Sequence, residues 1–165
     1  MLSYLARMIP VIVRATRNRD GRLVSRLERR VRLGEIDPNL HMNQAVYARV
    51  AEYGRTDWVL RSQAWHRWRS AGIKPIVAEQ HIVYRRELRA GARYVIDTRA
   101  TAIEGRLLRV ESVLLVGDRV HARDDTKLIF LGREGVLGAD AVQACCAGLV
   151  SAPLAIDAWQ VVDAG

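Results

Sequence analysis

The chain has 165 residues, half of them hydrophobic, so it can bury the core of one domain and is not generally disordered. Its net charge is +8, but residues 1–32 alone carry +7, from nine arginines against one aspartate and one glutamate. Because the basic charge is confined to this first segment, it argues against a nucleic-acid-binding domain, in which basic residues line one face of the folded body.

Residues 1–22 are predicted to form a basic amphipathic arm. Within residues 1–19, Arg7 and Pro10 interrupt an apolar stretch that falls short of the roughly 20 residues a membrane-spanning helix needs. No small-residue cleavage site of a signal peptide follows it. Two interpretations stay open. The arm packs on the domain or on a partner subunit, or it binds an anionic membrane surface as a peripheral anchor.

The main domain is predicted over residues 23–147 and begins with a strand at Leu23–Leu33, followed by a polar loop. Asn43 is a favourable N-cap, and apolar residues at helical spacing then predict one long helix over Gln44–Ser62. A shorter helix is predicted at Trp65–Ser70.

Four strands are predicted after this helical region. Their bounds are Ile76–Glu87, Ala92–Ile103, Leu107–Val116 and Val120–Leu131. Glycines at 105 and 117 indicate tight turns that join the last three strands. A loop follows at 132–138 and a short helix at Ala139–Ala147, and the weakly patterned tail, residues 148–165, is expected to be disordered or to lie on the surface.

The two cysteines, Cys145 and Cys146, are neighbours in the last predicted helix. Adjacent cysteines bridge to each other only with severe strain, and no spacing in the chain is typical of a zinc site. We therefore expect a reducing, cytoplasmic setting, with association to a membrane left open by the arm.

The order of elements predicts the fold class. Consecutive hairpins form an antiparallel sheet, and one apolar helix of about five turns is suited to being wrapped by such a sheet. The expected fold is therefore α+β, the hot-dog arrangement, with about five antiparallel strands around one long central helix.

The residues that could carry chemistry lie in the loop before the long helix, which reads Asp37-Pro38-Asn39-Leu40-His41-Met42-Asn43. A carboxylate, a carboxamide and an imidazole alternate there, and the free N–H groups of a helix start follow. Thioester hydrolysis needs a base or nucleophile and donors that hold the developing oxyanion. The loop could supply both, or it could be an ordinary turn in which these side chains only cap backbone amides.

This loop resembles the D-x-N-x-H-x-N signature of the acyl-thioesterase branch of the hot-dog superfamily, which includes 4-hydroxybenzoyl-CoA thioesterase-like enzymes. The run from His41 to Tyr47, with Gly54-Arg55 downstream, is similar to the H-M-N-N-x-x-Y…G-R pattern of the thioesterase-superfamily-member group, as are residues 78–88. The resemblance covers roughly residues 23–135. It implies hydrolysis of acyl-CoA or acyl-carrier-protein thioesters in fatty-acid metabolism.

The resemblance also implies roles for individual residues. Asp37 matches the base or nucleophile, Asn39 the amide that orients water or the acyl oxygen, and His41 the imidazole of the same set. Gln44 departs from the pattern, because it replaces the second asparagine of the usual pair.

Further residues are predicted to support this set. Glu35 stands where relatives have a second aspartate, Asn43 caps the helix, and Glu52 is a further acid on the helix or a solvated residue. Arg85 and Arg86 are candidates for the coenzyme A phosphates, because guanidinium groups are suited to phosphate.

No resident cofactor or metal is expected, because the loop has no second His or Cys beside His41. Coenzyme A would enter as part of the substrate. A homodimer or homotetramer is expected, because a single sheet leaves an edge to pair. Two alternatives stay open: a non-catalytic module that binds acyl thioesters, and an enoyl-CoA hydratase, whose D-x-N-P-x-H loop spaces its Asp and His more widely than Asp37 and His41.

Overall fold

The computed structural model describes residues 2–18 and 20–155. Met1, Arg19 and residues 156–165 of the predicted tail lie outside the described residues. In chain order the elements are α1 (Leu2–Arg17), β1 (Val24–Arg30), a 3-10 turn (Leu33–Glu35), α2 (Gln44–Arg61), α3 (Ala64–Ser70), β2 (Lys74–Tyr84), β3 (Arg93–Glu104), β4 (Leu107–Val116), β5 (Arg119–Gly132), β6 (Gly135–Val136) and α4 (Ala139–Cys146).

Strands β1 to β5 form one antiparallel sheet in the order β1-β3-β4-β5-β2, and the short β6 pairs with β5. Helix α2 packs across this sheet and contacts β1, β3, β4 and β5. Its buried side chains join those of the inner face of the sheet in the core. The structure therefore confirms the predicted α+β hot-dog fold.

Helix α2 begins where the sequence predicts and ends one residue earlier. Oδ1 of Asn43 accepts a hydrogen bond from the Ala45 N–H (2.9 Å), which caps the first turn. At Gly54 the helix approaches the sheet so closely that a Cβ atom would come within 2.2 Å of Thr98 Oγ1. Glycine at this position lets the helix lie directly on β3.

The two predicted hairpin turns are present. Gly105 (φ +59°) lies between β3 and β4, and Gly117 (φ +57°) lies between β4 and β5. Glycine adopts this left-handed conformation without a steric penalty, so both turns can be short. The predicted loop at 132–138 contains the two-residue strand β6, which the sequence pattern is too short to reveal.

The predicted arm contains a helix, α1, that its sequence pattern did not predict. The helix continues through Pro10, whose missing N–H and ring disfavour a helix interior. Met8, Val11 and Ala15 share one face and are buried, and the helix packs against α2. This packing holds the helix together in spite of the proline, and it agrees with the first interpretation of the arm.

The first residues of the predicted tail pack on the sheet, which corrects the expectation of a disordered or surface tail. Leu149 is 1% exposed, and Val150 forms a parallel bridge with Ala100. The Ser151 N–H donates to the Ala100 carbonyl oxygen (2.9 Å). This stretch is too short to show a periodic pattern, and only its contact with β3 gives it a fixed place.

Among the helices of the described residues, none combines the length and the apolar character that crossing a bilayer requires.

Candidate active site

The loop before α2 is a tight turn closed by backbone hydrogen bonds. The Asp37 N–H donates to the His41 carbonyl oxygen (2.9 Å), and the Leu40 N–H donates to the Asp37 carbonyl oxygen (3.0 Å). Leu40 adopts a left-handed backbone conformation (φ +63°) that helps to reverse the chain. The turn therefore pairs residues 37 and 41 at its base and leaves Asn39 between them.

The segment after β2 holds this turn in place. The Met42 N–H donates to the Leu88 carbonyl oxygen (2.7 Å), and His41 forms an antiparallel bridge with Arg89. Met42 and Leu88 are both buried in the core. The turn is thus fixed on one side by α2 and on the other by residues 88–89.

Asp37 and His41 lie close together. Nδ1 of His41 is 3.5 Å from Oδ2 of Asp37, and the two side chains are 31% and 18% exposed, respectively. Oδ1 of Asp37 accepts a hydrogen bond from the Asn39 backbone N–H (2.9 Å). One carboxylate oxygen is therefore anchored by the turn, and the other lies beside an imidazole, an arrangement that can accept a proton and pass it on.

Asn39 stands apart from this pair. Its backbone N–H holds Asp37, but Asn39 itself is exposed and does not line the cavity next to Asp37 and His41. The structure thus gives Asn39 a local part in closing the turn. Its orienting role toward water or the acyl oxygen stays a prediction.

A cavity of about 380 Å³ opens beside the paired side chains. It lies between the turn, the start of α2 and the residues at the end of β2. Its lining residues are Asp37, His41, Met42, Gln44, Tyr47, Tyr84, Arg85, Arg86 and Glu87. The structure therefore brings the predicted base, the predicted imidazole and both predicted phosphate-binding arginines to one cavity.

The two arginines are positioned by β5. The N–H groups of Arg85 (2.8 Å) and Arg86 (3.1 Å) both donate to the His121 carbonyl oxygen, and Nη1 of Arg86 donates to the Val120 carbonyl oxygen (3.0 Å). Arg85 is half-buried and Arg86 is exposed. The cavity therefore has a carboxylate and an imidazole on one wall and two cationic residues on another.

The start of α2 supplies a candidate donor for a developing negative charge. The N–H groups of a first helical turn have no acceptor in their own helix and carry a partial positive charge. The Ala45 N–H is bound by Asn43 Oδ1, and the Val46 N–H donates to the Asn43 carbonyl oxygen (2.9 Å). Gln44, the first helical residue, lines the cavity, so its N–H is the candidate oxyanion donor.

Two tyrosines of the cavity wall were not predicted as site residues. The rings of Tyr47 and Tyr84 meet edge to face, with centroids 4.9 Å apart. Burial raises the pKa of both phenols, and at Tyr47 a hydrogen bond to the Leu88 backbone opposes the shift. Tyr47 belongs to the helical pattern of α2, but only the fold brings it against Tyr84, so the sequence gave no signal for this pair.

Glu35 lies outside the cavity lining, although the sequence suggested a supporting acid there. Its side chain is buried, and Oε2 accepts a hydrogen bond from the Arg32 N–H (3.1 Å). Oε1 lies 4.0 Å from Nη1 of Arg7 and 3.9 Å from Nη2 of Arg49. Because the Glu35 carbonyl oxygen also accepts from the Asn43 N–H (2.8 Å), this residue ties α1, α2 and the turn together.

Glu52 lines a different cavity. This second cavity, of about 530 Å³, is mostly apolar and lies between α1, α2, α3, β2 and β5. Glu52 therefore does not meet Asp37 and His41 on the walls of the first cavity, and its predicted supporting role stays a prediction.

The Gly54-Arg55 pair of the sequence pattern has a structural explanation. Gly54 allows the close approach of α2 to β3, and Arg55 Nη1 donates to Asp124 Oδ1 (3.2 Å) and Thr126 Oγ1 (2.8 Å) on β5. Burial raises the pKa of Asp124, and the Arg55 charge counters that shift. These contacts fix the position of α2 on the sheet, and with it the turn at the start of the helix.

Within residues 2–18 and 20–155, no group of three or more His, Cys, Asp or Glu side chains is arranged to hold a metal ion. Metal-free chemistry stays a prediction from the sequence.

The chain belongs to the thioesterase-like superfamily. The description of this family matches residues 31–159, which include the turn, α2 and all strands after it. No curated protein matches the chain.

Solved structures show the same fold. The chain is similar to the probable thioesterase YbaW from Escherichia coli (TM-score 0.70, 18% identity, 77% of this chain and 99% of that one). It is also similar to a thioesterase-superfamily protein from Jannaschia (TM-score 0.61, 23% identity, 78% and 85%). A third similar structure is a Staphylococcus aureus protein solved in complex with CoA (TM-score 0.62, 15% identity, 84% and 90%).

Proposed function

We propose that this protein hydrolyses acyl thioesters of coenzyme A or of an acyl carrier protein, with Asp37 as the base. The observation that carries the proposal is the shared cavity, in which Asp37, His41 and the first residue of α2 meet. Membership of the thioesterase-like superfamily supports it.

In the proposed reaction the thioester carbonyl lies between Asp37 and the Gln44 N–H. Asp37 takes a proton from a water molecule while the water oxygen forms a bond to the carbonyl carbon. The Gln44 N–H and the dipole of α2 stabilise the oxyanion. When the oxyanion collapses, the C–S bond breaks, the thiolate takes the proton from Asp37 or His41, and the products are a free acid and a thiol.

The arginines on the facing wall suit the remainder of such a substrate. Coenzyme A carries a pyrophosphate and a ribose phosphate, and guanidinium groups bind phosphate oxygens with charge-assisted hydrogen bonds. Arg85 and Arg86 line the same cavity as Asp37, so the proposal assigns them to the phosphates. The Staphylococcus aureus protein of the same fold was solved in complex with CoA, which agrees with this class of substrate.

The active form is proposed to be a homodimer or a homotetramer. Strand β2 forms one edge of the sheet, and its Ile76 and Val77 are 43% and 46% exposed. The second cavity borders this edge and is lined mainly by apolar side chains, among them Val59, Trp65 and Leu128. Pairing of β2 with β2 of a second copy would cover both the open edge and these side chains.

The test is a spectrophotometric assay of the full chain with a panel of acyl-CoA and enoyl-CoA thioesters of different length. The proposal predicts release of free thiol above the uncatalysed rate for at least one substrate. Loss of enoyl absorbance without thiol release would assign a hydratase instead. Saturable binding of acyl-CoA with no turnover of any member of the panel would assign a binding module, and either result would overturn the proposal.

A further inference from the structure

Helix α1 exposes apolar side chains that its packing on the domain does not use. Met8, Val11 and Ala15 face the core, whereas Ile9 is 55% exposed and Val13 is 41% exposed. These two exposed residues are four positions apart and therefore lie on the same face of the helix. The helix is thus amphipathic twice over, with one apolar face for the core and a second one in solvent.

The second apolar face is distinct from the cavity beside β2. Ile12, which is 40% exposed, lines that cavity, but Ile9 and Val13 do not. A second copy of the chain that covers the β2 edge would therefore meet Ile12 and not these two side chains. Their exposure needs a different occupant.

The surroundings of this face are strongly basic. Arg14 and Arg17 are exposed on the last turns of α1. A recess of about 780 Å³ beside the end of the helix is lined by Arg14, Asn18, Asp20, Arg22, Arg26, Glu28 and Arg61. Four arginines against two carboxylates give this recess a positive balance, and residues 1–32 carry nearly the whole net charge of the protein.

We propose that α1 docks the folded protein on an anionic membrane surface. Ile9 and Val13 enter the boundary between headgroups and acyl chains, while Arg14, Arg17 and the basic recess bind lipid phosphates. A helix that lies in the interface plane needs this combination of an exposed apolar face and flanking cations, and it does not need the length of a membrane-spanning segment. Because Arg7 of α1 contacts Glu35 below the catalytic turn, docking would bring the candidate site close to the membrane.

The test is co-sedimentation of the full chain with phosphatidylglycerol vesicles and with phosphatidylcholine vesicles. We expect binding to the anionic vesicles that is at least about tenfold tighter than to the neutral ones and that weakens with salt. The double variants Ile9→Asp/Val13→Asp and Arg14→Glu/Arg17→Glu should each reduce partitioning at least about tenfold. All four side chains are exposed, so both variants should keep the fold and, if the protein is a thioesterase, its activity on soluble acyl-CoA.

The matched control is Val136→Asp on β6, which removes an equally exposed valine from another part of the surface (44% exposed). It should bind vesicles like the wild type. Equal binding of the wild type and both double variants would overturn the proposal. So would a change of oligomeric state in Ile9→Asp/Val13→Asp, measured by light scattering without lipid, because that result would assign the face to a second copy. The vesicle assay does not use turnover, so it can fail or succeed independently of the proposed hydrolase activity.

Discussion

His41 Nδ1 lies 3.5 Å from Asp37 Oδ2, across a turn whose two ends are joined by a backbone hydrogen bond between the same residues. The imidazole is therefore held beside the carboxylate by the backbone and not by side-chain packing alone. Both side chains line one cavity at the start of α2. This placement gives His41 a part in moving the proton that Asp37 takes from water.

Replacement of His41 tests that part. His41→Ala should lower kcat for thiol release by about 100-fold, because a positioned acid–base group contributes a factor of this order. The measurement is steady-state hydrolysis of the best acyl-CoA of the panel. His66→Ala, at an exposed position of α3, is the matched control and should keep wild-type kcat. A wild-type rate in His41→Ala would remove the imidazole from the mechanism.

The arginines of the cavity should act on binding and not on chemistry. Arg85→Ala/Arg86→Ala is expected to raise KM for acyl-CoA about tenfold at low salt with little change in kcat, because the lost contacts bind phosphates that do not react. With an acyl-N-acetylcysteamine thioester, which has no phosphate, the variant should equal the wild type. Arg133→Ala, at an exposed arginine of the loop after β5, is the control. An equal loss with both thioesters would contradict the assignment.

The contact between α2 and β3 predicts a stability effect. In Gly54→Ala the new Cβ would come within 2.2 Å of Thr98 Oγ1 inside the core, and overpacking of this kind costs about 1–3 kcal/mol. Urea unfolding followed by circular dichroism measures the free energy of unfolding. Gly34→Ala is the matched control, because a Cβ at Gly34 meets no atom within 4 Å. Equal stability of the two variants would show that the helix can move away from the sheet at little cost.

Alkaline pH should destabilise the fold through Tyr94. Burial raises the pKa of Tyr94 to about 12, while nearby Arg29 lowers it. Below pH 10 the phenol is neutral in both states, and its contribution to stability is complete. Between about pH 10 and pH 12 the unfolded chain loses the proton more readily, so the stability from this group falls, by up to about 2.7 kcal/mol at 1.36 kcal/mol per pKa unit.

Tyr94→Phe removes this ionisation. The free energy of unfolding of the variant should therefore fall less steeply between pH 10 and pH 12 than that of the wild type. Urea titrations at pH 8, 10 and 11.5 measure the difference. Parallel curves for the two proteins would mean that the buried phenol has an ordinary pKa in the folded state.

The sequence predicts the elements whose pattern is local. Asn43 as cap and apolar residues at helical spacing predict α2 to within one residue at each end, and the turns at Gly105 and Gly117 follow from glycine alone. Helix α1 was not predicted, because Pro10 argues against a helix and only the packing of Val11 and its neighbours overrides it.

The site could be predicted only in part for a related reason. The alternation of Asp37, Asn39 and His41 indicates a polar loop, but alternation does not tell which side chains a turn brings together. The hydrogen bond across the turn pairs the first and third of them. Glu35 shows the same limit, since its charge suggested an acid of the site and the fold makes it the buried partner of arginines from two helices.

The most direct test of the proposed mechanism is the ratio of kcat/KM values for Asp37→Asn and the wild type with the best acyl-CoA of the panel. Asn keeps the shape of the side chain and an oxygen for the Asn39 N–H, but it cannot take a proton from water. Asp118→Asn, at an exposed aspartate of the turn between β4 and β5, should match the wild type. We predict that Asp37→Asn lowers kcat/KM by about 1000-fold or more. Thiol release by Asp37→Asn at the wild-type rate would contradict a mechanism in which Asp37 is the base.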